Sequence, residues 1–292
     1  MRTITHCNGQ PCVDLSLPQG DRVRIALHGA HVLSWTTADG VEQLYLSPKA
    51  HIDGRSPIRG GIPVCFPQFN QRVLADTPLP KHGFARTQAW TLDEDGPPDG
   101  TEVRLRLASN PETLAMWPHR FDASLTVRLA PGSLRMTFGV SNTGDRPFPF
   151  ALALHTYMRT TDIARTRLDG LGGVTFWDAV EHLQEPGLRK VQPAGALAFT
   201  GETDRVYADA PSPLVVGHPG GGLEVSQSAS LTDTVVWNPG AERCAGLDDM
   251  PPLGYADMLC VEAAQINQPV MLAPGDAWSG WQALRVLPPA AG

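Results

Sequence analysis

Two segments of the chain place an ionisable side chain inside an apolar strand pattern. In PFALALHTYM, Pro149–Met158, a period of two sets Phe150, Leu152 and Leu154 on one face and Ala151, Ala153, His155 and Tyr157 on the other. DMLCVEAAQ, Asp257–Gln265, repeats the arrangement, with Leu259, Val261 and Ala263 against Cys260, Glu262 and Ala264. A mid-strand carboxylate is costly unless it is paired or functional. Small alanines beside the imidazole and the carboxylate leave room above the sheet for a ligand. The two residues read either as a core histidine and a structural ion pair, or as a general acid and a general base.

Three further segments supply polar groups. LPKHGFAR holds Lys81, His82 and Arg86, three donors within six residues, which suit an anion or polyol site or else a solvated basic turn. SPIRGGIPVCFPQFN, Ser56–Asn70, carries Arg59 among three prolines and the pair Gly60–Gly61. Prolines stiffen such a segment and the glycines open backbone angles closed to other residues. It reads as a rigid pocket wall, or as a loop whose arginine is paired to an acid. Asp204 in TGETDRVYAD is a weaker signal, and by itself suits capping a turn better than binding a ligand.

The chain has no GxxxxGK[ST], GxSxG or HExxH sequence, and GLGG at Gly170–Gly173 lacks a strand-to-helix setting. His82 and His155 have no close histidine partner at ligand spacing, so no metal and no cofactor are expected.

The elements that must hold these residues are strands. Val103, Leu105 and Leu107 alternate with Glu102, Arg104 and Arg106. The same period runs through SLTVRL, SLRMTFGVSN and DRVRIAL, with turn signals at APGS and NTGDRP. NPETLAMW, Asn110–Trp117, suits one short helix or turn. Strand after strand with few short helices predicts an all-β protein, a large antiparallel β-sandwich. Without a linker or a repeat, residues 1–292 are expected to form one domain.

The 23 Lys and Arg against 30 Asp and Glu give a net charge of -7, which argues against general affinity for nucleic acid or anionic membranes. No run of about 18 apolar residues occurs, and the N-terminal segment has no apolar core of signal-peptide length. Five cysteines without a CxxC pair suit reduced thiols, so a soluble, cytoplasmic protein is expected. A sugar-binding module with an exposed aromatic platform is the non-catalytic alternative. However, Trp35, Trp90, Trp237 and Trp281 fall in strand-like segments that suit a core.

Taken together, SPIRGGIPVCFPQFN, LPKHGFAR, ALHTY, TDRVY and VEAAQ resemble the aldose 1-epimerase (mutarotase) superfamily in its hexose-6-phosphate branch. They occur in the family's order and span Ser56–Gln265. The resemblance implies a large β-sandwich that interconverts the α and β anomers of a hexose 6-phosphate, with a small sugar phosphate as its partner, no cofactor, and a monomeric state. It implies that His155 is the general acid toward the ring oxygen and Glu262 the base at the anomeric hydroxyl. Asp204 and His82 would hold sugar hydroxyls and the ring, and Arg59 and Arg86 the 6-phosphate. Lys81 stands where the family often has glutamine, so its ammonium either attracts phosphate or faces solvent. Gln68 lies in a variant of its segment and is a candidate contact. A mutarotase of unphosphorylated aldoses, sharing the acid–base pair but needing no phosphate-binding arginines, is the nearest alternative.

Overall fold

The computed structural model describes residues 1–71, 79–93, 100–182, 185, 187–219 and 221–288. Three antiparallel sheets of four, eight and nine strands account for almost all of the regular structure among them. The alternating segments form strands where expected. Glu102–Ala108, Phe121–Ala130 and Ser133–Asn142 lie side by side in the nine-stranded sheet, with Val103 opposite Val127 and Leu125 opposite Phe138. Val103, Leu105, Leu125, Val127 and Phe138 are fully buried, while Arg104 and Arg106 remain exposed. NPETLAMW does form a helix, Pro111–Met116. Asn110 starts it by accepting from the Thr113 amide at 2.9 Å, and Thr113 Oγ1 accepts from the Asn110 amide at 2.8 Å.

The eight-stranded sheet is two-faced because its strands alternate side chains. Phe150, Leu152, Leu154, Val236, Leu259 and Val261 join Leu125, Phe138 and Leu284 of the nine-stranded sheet in one apolar core. That shared core makes the two sheets a sandwich. The opposite face carries Ala151, Ala153, Val206, Val235 and Ala264. Ala153 pairs with both Ala264 and Cys65, so the middle of this face is floored by small side chains.

The Pro149–Met158 segment, expected as one strand, is two: Phe148–Leu154 and Tyr157–Arg159. Both pair with the long Met258–Leu272 strand, and the pairing register is the same on either side of the break. Leu154 opposes Ala263 and Tyr157 opposes Cys260. His155 therefore falls opposite Glu262. The gap is pinned by backbone bonds from His155 N–H to Pro63 O (3.0 Å) and from Val261 N–H to Thr156 O (3.2 Å). Beneath it Thr156 Oγ1 donates to Gln282 Oε1, and Gln282 Nε2 donates to Val261 O at 2.9 Å. This fully buried hydrogen-bonded set fixes the backbone on both sides of the two ionisable residues.

Candidate active site

SPIRGGIPVCFPQFN contains only a two-residue strand, Val64–Cys65, at the edge of the eight-stranded sheet. Gly60 and Gly61 have φ of +104° and +61°. A Cβ at Gly60 would lie 2.7 Å from Leu46 Cα, and one at Gly61 would lie 2.8 Å from His31 Nε2 and against the Val32 carbonyl oxygen. Glycine is needed there both for the backbone angle and for the close approach. His31, fully buried, donates from Nε2 to Gly60 O at 2.7 Å, and burial lowers its pKa to about 3. Arg59 is thereby held beside the sheet, with Nε 3.1 Å from Asp249 Oδ1 and Nη1 3.1 Å from the Tyr157 hydroxyl.

A cleft opens over the small-residue face. Arg59, Lys81, His82, His155, Asp204 and Glu262 line it together, although they come from segments spread over 200 residues. His155 Nδ1 lies 3.3 Å from Glu262 Oε1, with both side chains buried. Burial lowers the imidazole well below its ordinary 6.5, with help from the positive charges of Arg59 and Arg86. Burial also raises the Glu262 carboxyl well above 4.5, with Asp204 adding to the rise. The imidazole is stacked on Tyr157 at 4.7 Å and 8°, and meets the Trp237 ring edge-on at 6.0 Å. Its orientation is thus set by packing on two sides.

His82 adopts φ +65°, unusual for a residue with a side chain. Its amide donates to Asn70 O at 2.8 Å, and its Nδ1 accepts from the Asn70 amide at 3.2 Å. Burial and the neighbouring cations keep its imidazole neutral, so Nε2 carries the proton and is the donor. Asp204 lies on the Thr203–Ala208 strand, opposite Trp237. Burial pushes its carboxyl up to about 6, against the pull of Arg243 and Lys81.

Two sequence candidates lie outside the cleft lining. Gln68 is buried and donates from Nε2 to Asn70 O at 3.0 Å, which ties together the loop that holds His82. Arg86 donates to Lys81 O at 2.7 Å and braces the backbone behind that lysine. Of the two arginines expected at one anion, Arg59 is among the cleft-lining residues, and Arg86 contributes a positive charge near His155 and His82. Sequence reading also missed Arg243, which lines the cleft from the short Gly240–Ala245 helix and pairs with Glu202 at 3.3 Å. No strand pattern surrounds it, so nothing in its segment marked it. Trp237 was expected in the core. It is on a strand and largely buried, but its ring forms a wall of the cleft.

The comparisons with known proteins agree with this geometry. The family model described as Aldose 1-epimerase matches residues 11–285. The chain belongs to the aldose 1-epimerase family. A protein of Cenchrus ciliaris named "Putative glucose-6-phosphate 1-epimerase" is 37% identical over 274 residues, covering 90% of this chain and 81% of that one. A protein of the same name from Escherichia coli (strain K12) is 35% identical over 252 residues, covering 85% and 81%. The crystal structure of a "putative mutarotase" from Salmonella typhimurium superposes with a TM-score of 0.86 at 28% identity, covering 98% of this chain and 93% of that one. No helix among the described residues is long and apolar enough to cross a membrane.

Proposed function

We propose that this aldose 1-epimerase family member interconverts the α and β anomers of hexose 6-phosphates, glucose 6-phosphate foremost, with His155 and Glu262 as the proton-transfer pair. The observation that carries the assignment of roles is their 3.3 Å separation in a buried cleft. Anomerisation removes a proton from O1 while delivering one to O5. Both oxygens are bonded to one carbon, so the two protein groups must also be close neighbours. Glu262 accepts the O1 proton and His155 protonates O5, opening the ring to the aldehyde. Rotation about C1–C2 and closure on the other face reverse both transfers.

The pair needs one proton between its members at the start of each turnover. Burial favours the arrangement with a neutral carboxyl and a neutral imidazole over the ionised carboxylate and imidazolium expected from sequence. The two arrangements differ in which group holds that proton, not in proton count. Approach of the sugar's polar atoms offsets the cost of charge separation, so the ionised pair forms as the substrate settles.

His82 Nε2–H and the Asp204 carboxylate hold ring and hydroxyl oxygens. Arg59, Lys81 and Arg243 form the positive side of the cleft that takes the phosphate. One domain of residues 1–292, acting as a monomer in the cytoplasm on a small soluble substrate, completes this reading. The five cysteines, all free, fit a reducing compartment.

A second reading, mutarotation of unphosphorylated aldoses, is favoured by one observation: Asp249 already neutralises Arg59. Two-dimensional exchange NMR of glucose 6-phosphate and of glucose decides between them. A kcat/KM at least tenfold higher for the phosphorylated sugar supports the first reading; equal values support the second.

A further inference from the structure

The acid–base pair has a third neighbour with its own chemistry. Cys260 stands two residues before Glu262 on the same strand, so both side chains point to the cleft face. A ligand atom of His155, the Cys260 sulfur and a Glu262 oxygen all lie within 4.8 Å of one another. His155 Nδ1 and Glu262 Oε2 are buried and have no hydrogen-bond partner. Two unsatisfied buried acceptors beside a thiol suit a borderline-soft cation better than they suit water. Tetrahedral zinc with bonds of ~2.0–2.3 Å sets its ligand atoms roughly 3.3–3.8 Å apart. The His155–Glu262 contact already meets that spacing at 3.3 Å, and the sulfur lies within 4.8 Å of both.

We propose that His155, Cys260 and Glu262 form an inhibitory site for a thiophilic divalent cation such as Zn²⁺, which takes the place of the proton the pair must share. The inhibition part rests on the reading of His155 and Glu262 as the proton-transfer pair; binding does not. The balance is simple. The cation binds a neutral imidazole, a carboxylate and a thiolate, and releases one proton from the carboxyl and one from the thiol, with no change of oxidation state. Arg59, Arg86 and Lys81 oppose the incoming charge, and Asp204 favours it. The imidazole can then no longer protonate O5, nor the carboxylate accept from O1. Hexose 6-phosphate and metal therefore exclude each other.

Titration of the purified full-length protein with Co²⁺ tests binding without reference to activity. The expected result is a thiolate-to-cobalt charge-transfer band that is lost in Cys260→Ser and suppressed by saturating glucose 6-phosphate. Zinc should inhibit anomer exchange, with the inhibition constant at least tenfold weaker in Cys260→Ser, each protein being compared with itself in the absence of metal. A band that persists in Cys260→Ser, or no band in the wild type, overturns the site. Should Cys260→Ser fail to fold, a wild-type band insensitive to saturating substrate overturns it equally. A metal band in a protein without anomerase activity would retain the site and reject the function reading.

Discussion

His155 falls opposite Glu262 because Leu154–Ala263 and Tyr157–Cys260 keep one register across the strand break, and the two side chains meet at 3.3 Å in a buried cleft. Each alone would be a poor occupant of such a place, since burial disfavours the charge of either. In the proposed mechanism they hold one proton between them, the state that reversible ring opening would require.

The first consequence concerns pH. Going down in pH, activity is lost when the imidazole takes a second proton. Going up, it is lost when the last proton leaves the carboxyl. Burial moves the first event well below 6.5 and the second well above 4.5. The kcat profile should be a broad bell whose acid limb lies clearly below the ordinary imidazole value. Saturating substrate is needed because a phosphate monoester itself titrates at about 6. An acid limb centred on 6.5 would contradict the placement of His155.

Glu262→Gln should lose anomerase activity by ~10²–10⁴-fold while gaining stability at neutral pH. The carboxyl's folded pKa is raised, so the native state is penalised as pH climbs from the unfolded value of 4.5 toward the raised native one. Glutamine removes that titration. In urea unfolding the variant should exceed the wild type near about pH 7.5, with the difference vanishing below about pH 4. A gain of the same size at both pH values would show that the carboxyl is not the cause.

The arginines should separate by kinetics. Arg59→Ala and Arg243→Ala should raise KM for glucose 6-phosphate about tenfold or more and leave KM for glucose little changed, since in the proposed binding mode each would offer a charged hydrogen bond to the phosphate. Arg86→Ala acts through the Lys81 backbone and should affect both sugars alike. Steady-state kinetics on the two substrates reads the split. A phosphate-selective defect in Arg86→Ala would return that residue to the cleft.

Gly61→Ala should destabilise the protein by about 2 kcal/mol or more, because a side chain there adopts a left-handed angle and also meets the Val32 carbonyl. Chemical denaturation measures the loss. An unchanged midpoint would mean that the Arg59 segment relaxes freely and is not a rigid wall.

The legible parts of this protein were those with a period. Val103, Leu125 and Phe138 announced one sandwich sheet, and the alternation around His155 and Glu262 gave the faces on which both side chains emerge. Period alone does not give register, so their opposition across the strand pair was not visible. The break after Leu154 was hidden too, because the Thr156–Gln282 bond that supports it joins residues 126 positions apart. The left-handed backbone at His82 and Gly83 was hidden as well, since no side-chain period marks it. Arg243 sits on a six-residue helix with no apolar pattern to mark its direction.

The most direct test is anomer exchange of glucose 6-phosphate by two-dimensional NMR, with wild type, His155→Ala and Glu262→Gln compared at one enzyme concentration and one pH. Wild type should accelerate exchange well above the spontaneous rate, and both variants should fall back to it while remaining folded. Exchange undiminished in either folded variant would contradict the assignment of proton transfer to this pair.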